Sequence, residues 1–154
     1  MIKYDIQRSP GPLIRRCHQI GLSIFAAEFK GLDITPLQFS IIWVLNICPR
    51  MDQITLAQYV ALDRTTCSNI VTLLEKKGHI VRSTDPSNRR AKLVSLSAKG
   101  KQLLKAAEQP MARTQRKLLA PLTAAEKQQF LHILQKLVDG GNELSRAPMR
   151  YMGH

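Results

Sequence analysis

Arg89 and Arg90 end the segment DPSNRR, and upstream of them Arg64, Thr65, Thr66, Ser68, Asn69, Thr72 and Lys76 crowd into the stretch 64–76. None of these is an acid, a cysteine or a histidine. Hydroxyls and amides on short stems offer donors and acceptors close to a surface, and arginine offers a fixed charge with a fork of donors. Such groups read base edges and meet phosphates in a nucleic acid. The bland alternative is a solvated helix face and a turn with incidental arginines. A plain solvated face, however, favours Glu, Lys and Gln, which form helices better than Thr, Ser and Asn.

These residues need a helix and a hairpin to hold them. From Asp63, a good N-cap, Cys67, Ile70, Val71 and Leu74 recur at helical spacing, so they face a core and leave Thr65, Ser68, Asn69, Thr72 and Lys76 outward. This helix runs to Lys77 and stops at Gly78. HIVRST and AKLVSLS follow as two strands joined by DPSNRR, where Asp85 and Pro86 suit the first positions of a type I turn. That hairpin is a wing.

Upstream, TPLQ (35–38) predicts a capping box opening a helix to about Ile47, apolar on nearly every side and so deeply buried. TLAQ (55–58) predicts a second box, for a short helix ending near Ala61. The tight turn before Asp63 makes this pair of helices a helix-turn-helix candidate. At the start, Pro10-Gly11-Pro12 reads as a breaker after an N-terminal arm, and a helix extends from Leu13 to about Lys30 before Gly31. Ser97 caps a long helix from Ala98 to Leu119, with Pro110 as an expected kink. TAAE (123–126) boxes a last helix ended by Gly140-Gly141. The tail SRAPMRYMGH is left open: on a partner chain, on nucleic acid, or without order.

The 154 residues carry 23 basic and 11 acidic side chains, a formal charge of +12 and a pI near 10.1. Eight basic and three acidic residues lie between Asp63 and Gly100, which places +5 on the candidate reading segment. That imbalance favours a polyanionic partner. Four histidines (His18, His79, His132, His154) pair with no nucleophile or carboxylate, and no glycine loop could cradle phosphate, so an enzyme is not expected. Cys17, Cys48 and Cys67 lie far apart in apolar settings, which suits inert reduced thiols in a cytoplasmic protein without metal or cofactor. FSIIWVLNIC is too short to span a bilayer, and no membrane segment is expected. The length suits one domain, often completed by dimerisation.

The stretch from Asp63 to Gly100 closely resembles the MarR family of winged helix-turn-helix repressors: helix, glycine, wing strand, D-P-x-D-x-R-type tip, wing strand, then an L-T-x-x-G-type opening of the next helix. Outside it, the likeness is one of helix order and length. The resemblance implies a mainly α fold with a small antiparallel β-wing (α+β). It also implies a winged lobe over 35–97, an interleaved helical dimerisation region from 1–34 and 98–154, and a homodimer docking on a pseudopalindromic duplex. It carries Arg90 to the wing-tip arginine of the minor groove, and Thr65, Thr66, Ser68 and Asn69 to the recognition surface. Asn88 departs from the pattern, which has an acidic residue there to fix the wing arginine; Asp85 or a neutral Asn88 bond must serve instead.

Relatives of this kind are released from DNA by small aromatic acids, and the sequence is similar to regulators of aromatic or N-heteroaromatic acid degradation. Arg15, Arg16 and His18 could hold a carboxylate while Phe39 and Trp43 stack on a ring. Against this, His18 shares a stripe with Ile14, Gly21 and Phe25 and is expected buried in the core. Trp43 fits core packing, and the two arginines fit carboxylates of a partner subunit or phosphate. The expected function is a dimeric repressor released by an aromatic acid. The rival is a non-specific architectural nucleic-acid-binding protein, for which +12 would suffice.

Overall fold

The computed structural model describes Asp5, residues 7–88 and residues 92–151. Arg89 and Arg90 lie outside the described residues. The chain is mainly helical with one small antiparallel sheet. In order come α1 (Pro10–Glu28), α2 (Pro36–Ile47), β1 (Met51–Asp52), α3 (Gln53–Tyr59), α4 (Arg64–Lys76), β2 (Ile80–Thr84), β3 (Lys92–Leu96), α5 (Ala98–Leu118) and α6 (Ala124–Gly141), then a single 3-10 turn, Asn142–Leu144.

Local chemistry sets most of these limits. Thr35 and Gln38 form the expected capping box on α2, and Thr123 and Glu126 form the one on α6. Asp63 caps α4 through the Thr66 N–H, and Ser97 caps α5 through the Gly100 N–H. Gly78, at φ +77°, takes the left-handed position after α4. There the His79 N–H donates to the Leu74 carbonyl and the Gly78 N–H to the Glu75 carbonyl, the paired bonds of a Schellman stop.

Three expectations need correction. Pro10 does not break the chain but opens α1, because a proline in the first turn lacks only an N–H that had no helical partner anyway. The short helix α3 starts at Gln53, not at Thr55. Asp52 caps it by accepting the Ile54 and Thr55 N–H groups, and the Thr55 hydroxyl donates to the same carboxylate at 2.6 Å. Finally, α6 does not stop before Gly140-Gly141 but includes both.

The sheet order is β1-β3-β2, with Met51 opposite Val94 and Arg82 also opposite Val94 on the other side. Its inner face meets Ile41, Ile42 and Leu45 of α2, Leu56 of α3 and Cys67, Val71 and Leu74 of α4 in one fully buried cluster. Each such aliphatic side chain contributes about 1.5–3 kcal/mol by leaving water. α2 is nonetheless less enclosed than its composition predicts: Leu37, Trp43 and Ile47 remain about half exposed. α5 carries Leu103, Leu104 and Ala107 into the core and packs along α1. There the Glu28 carboxylate receives Arg113 at 2.6 Å and Lys117 at 2.5 Å.

Leu13, Ile14, Ile20 and Leu22 on α1 and Leu131, Ile133, Leu137 and Val138 on α6 are exposed within the chain. No residue of α6 is buried. Two apolar stripes thus face outward, one on the first and one on the last α-helix of the chain.

Candidate nucleic-acid interface

α4 presents Arg64, Thr65, Ser68, Asn69 and Lys76 as exposed side chains, opposite buried Cys67, Val71 and Leu74. Two other candidates are committed elsewhere. The Thr66 hydroxyl donates to the Asp63 carboxylate at 2.7 Å, so this residue completes the cap. The Thr72 hydroxyl accepts from Arg82 at 2.8 Å and is half buried. The face free to approach a groove is therefore narrower than the sequence suggests.

Arg82 was not singled out by sequence, although strand alternation places it on the face of buried Ile80. Its guanidinium reaches across from β2 to Thr72 and, at 3.0 Å, to the Glu75 carboxylate. Wing and helix α4 are thereby held in one orientation. A second knot closes the wing's base. The Ser97 hydroxyl donates to the Gly78 carbonyl at 2.6 Å, the Ser97 N–H to the His79 carbonyl at 3.1 Å, and Lys99 Nζ to the Lys77 carbonyl at 2.7 Å.

At the tip, Asp85 orders the turn. It accepts the Ser87 N–H at 2.8 Å and the Ser87 hydroxyl at 2.7 Å, and its carbonyl accepts the Asn88 N–H at 3.2 Å. The Ser87 bonds, hydroxyl first, hold the Asp85 carboxyl below its ordinary range.

The aromatic candidates meet at a cleft. Phe25 of α1 and Phe29, its C-cap residue, stack at 3.8 Å, Phe39 lies edge-on to both, and Trp43 lies 6.0 Å beyond Phe39. Phe39 and Trp43 line a cleft of about 430 Å³ together with Ser40, Val44, Tyr59, Val60, Met111, Gln115 and Met149. That volume accommodates one small ring compound. Arg15, Arg16 and His18 do not line it. They stand exposed on α1, so His18 is not the buried histidine expected, and Cys17 beside it is exposed too. Tyr59 comes from α3, Met111 and Gln115 from α5 and Met149 from the tail, and no sequence spacing announced their meeting.

Among the described residues no group of three or more His, Cys, Asp or Glu side chains is placed to hold a metal ion, and no helix is long and apolar enough to cross a membrane.

A reading helix locked to a two-stranded wing defines the winged helix-turn-helix class. The MarR family pattern matches residues 34–92. The chain is 31% identical over 137 residues to the HTH-type transcriptional repressor NicR of Pseudomonas putida, covering 88% of this chain and 86% of that one. It is 27% identical over 127 residues to the homoprotocatechuate degradative operon repressor of Escherichia coli, covering 82% and 86%. The PcaV transcriptional regulator of Streptomyces coelicolor, solved with its natural ligand, superposes with a TM-score of 0.83 at 28% identity, covering 90% of this chain and 98% of that one. The chain belongs to the MarR family.

Proposed function

We propose that the protein is a homodimeric, sequence-specific DNA-binding repressor, acting in the cytoplasm without catalysis and released from its operator by a small aromatic acid. The observation that carries the first part is the exposed short polar face of α4, fixed to the wing by the Arg82 bridge. Residues 35–97 act as the reading lobe, and 1–34 with 98–154 as the dimerisation region, whose outward apolar stripes on α1 and α6 need a partner. In such a dimer the two α4 helices enter successive major grooves roughly 34–36 Å apart. Arg64, Thr65, Ser68 and Asn69 meet bases and phosphates, Lys76 adds charge, and Arg89 and Arg90 extend into the minor groove.

The effector reading rests on the cleft. Phe39, Trp43 and Tyr59 supply ring faces, while its polar lining, Ser40 and Gln115, is neutral. A carboxylate needs a cation as well, and Arg15, Arg16 and His18 on the dimerisation helix are the proposed source. The homoprotocatechuate degradative operon repressor among the relatives supports this chemistry, and PcaV, solved with its natural ligand, supports a bound effector.

Fluorescence anisotropy tests both parts. The protein is titrated, at physiological salt, against the duplex flanking its own gene and a scrambled duplex, with and without homoprotocatechuate, benzoate or nicotinate. A preference on the order of 10³ for the first duplex is expected. Equal binding to both, collapsing alike with salt, would instead identify a non-specific coating protein.

A further inference from the structure

The C-terminal tail is built into the cleft. The Asn142 side chain brackets Met149, accepting its N–H at 2.8 Å and donating to its carbonyl at 3.0 Å. Pro148 stiffens the approach and favours an extended Ala147 before it. The Arg150 N–H then donates to the Gln58 carbonyl at the end of α3 at 2.9 Å, and its guanidinium lies 5.7 Å above the Tyr59 ring. Tyr151 turns back to hydrogen-bond the Asp139 carboxylate of α6. The segment is thus held at Met149 by the Asn142 side chain of the 3-10 turn, at Arg150 by α3 and at Tyr151 by α6.

Met149, clamped within that span, is one wall of the cleft that also exposes Trp43. α3 packs directly on α4, whereas α6 buries nothing of its own in the chain. One short segment therefore touches the cleft, the dimerisation helix and the helix that supports the reading helix.

We propose that residues 145–151 form a strap that serves as the yielding wall of the effector cleft and transmits its occupancy to α3. This rests on the aromatic-acid reading above. A flat ring stacked on Trp43 presses on Met149, whose backbone is clamped by Asn142, and the displacement passes through the Arg150–Gln58 bond to α3 and on to α4. Only a ligand that contacts Met149 differently in the two arrangements shifts the balance between them. The strap also tunes selectivity, since a flexible thioether adapts to ring substituents.

Trp43 is the sole tryptophan, so its emission reports on the cleft directly. The test compares the full-length parent with Asn142→Ala, which removes the clamp, Arg150→Pro, which removes the donor to Gln58, and Met149→Ala. Without effector, all three are expected to shift Trp43 emission to the red. Asn142→Ala and Arg150→Pro are also expected to speed amide exchange across 53–60 while holding operator affinity within about twofold. Their half-release concentration of homoprotocatechuate or benzoate should change by about fivefold or more. Parental emission and exchange in every variant, or parental release concentrations, would overturn the strap. If no acid releases the parent, the effector reading fails separately. Emission and exchange, which need no effector, then decide whether the strap lies on the cleft and holds α3.

Discussion

The guanidinium of Arg82 sits 3.0 Å from the carboxylate of Glu75, joining the first wing strand to the third turn of the reading helix. Both side chains are partly exposed, so the attraction is screened; its value lies in geometry, because the same guanidinium also binds the Thr72 hydroxyl. Arg82→Ala is expected to cost about 1–2 kcal/mol in urea unfolding and to weaken operator binding. Arg82→Lys should restore little, because a single ammonium cannot bridge both acceptors in a planar fork. Full operator affinity in both variants would show that wing and helix keep their angle without it.

Gly100 lies where α5 presses on the junction between α4 and the wing. A Cβ there would come within 2.1 Å of the His79 carbonyl oxygen, a backbone atom that cannot swing aside. Alanine normally stabilises a helix interior by about 1 kcal/mol relative to glycine. Here the forced backbone shift wins, and Gly100→Ala is expected to destabilise by about 2–3 kcal/mol in thermal or urea unfolding. A stabilised variant would contradict this packing.

His79 is buried at the same junction, and burial, then the neighbouring Lys99 and Lys77, hold its imidazole below the ordinary value of 6.5. The unfolded chain therefore takes up this proton first. Stability contributed by neutral His79 is intact above pH 6.5 and declines as the pH falls through that value toward the folded one. Urea titrations across this window should show the decline, and His79→Gln should flatten it.

Burial pushes the Cys67 thiol up to about 11. Little thiolate exists at pH 8, and the sulfur faces no solvent, so iodoacetamide should leave Cys67 unmodified in the native protein and label it in urea. Mass spectrometry of tryptic peptides checks this. Rapid native labelling would mean that α4 opens from the core.

At the wing tip, Arg90→Ala is expected to weaken operator binding by about 1–3 kcal/mol while leaving the dimer intact in sedimentation. Equal affinity in an anisotropy titration would remove Arg90 from the interface.

Helix limits governed by a few adjacent atoms were legible from residue types: the boxes at Thr35 and Thr123, the caps Asp63 and Ser97, the stop at Gly78. The misreading at Thr55 shows the limit of that approach. The box was read from Thr55 alone, whereas the Asp52 carboxylate three residues earlier takes the N–H groups and the Thr55 hydroxyl becomes its donor. β1, only two residues long, has no period to detect. The cleft was visible only at Phe39 and Trp43, since Tyr59, Met111, Gln115 and Met149 reach it from α3, α5 and the tail. His18 was misplaced because which face of α1 is covered depends on how α5 lies against it.

α6 holds a regular, doubly capped start and an apolar stripe, yet contributes nothing to its own chain's interior. In the proposed dimer that stripe would act as an address, covered only by a chain whose own stripe matches it. Substitutions there would then change which subunit is recruited to the DNA rather than what is read on it.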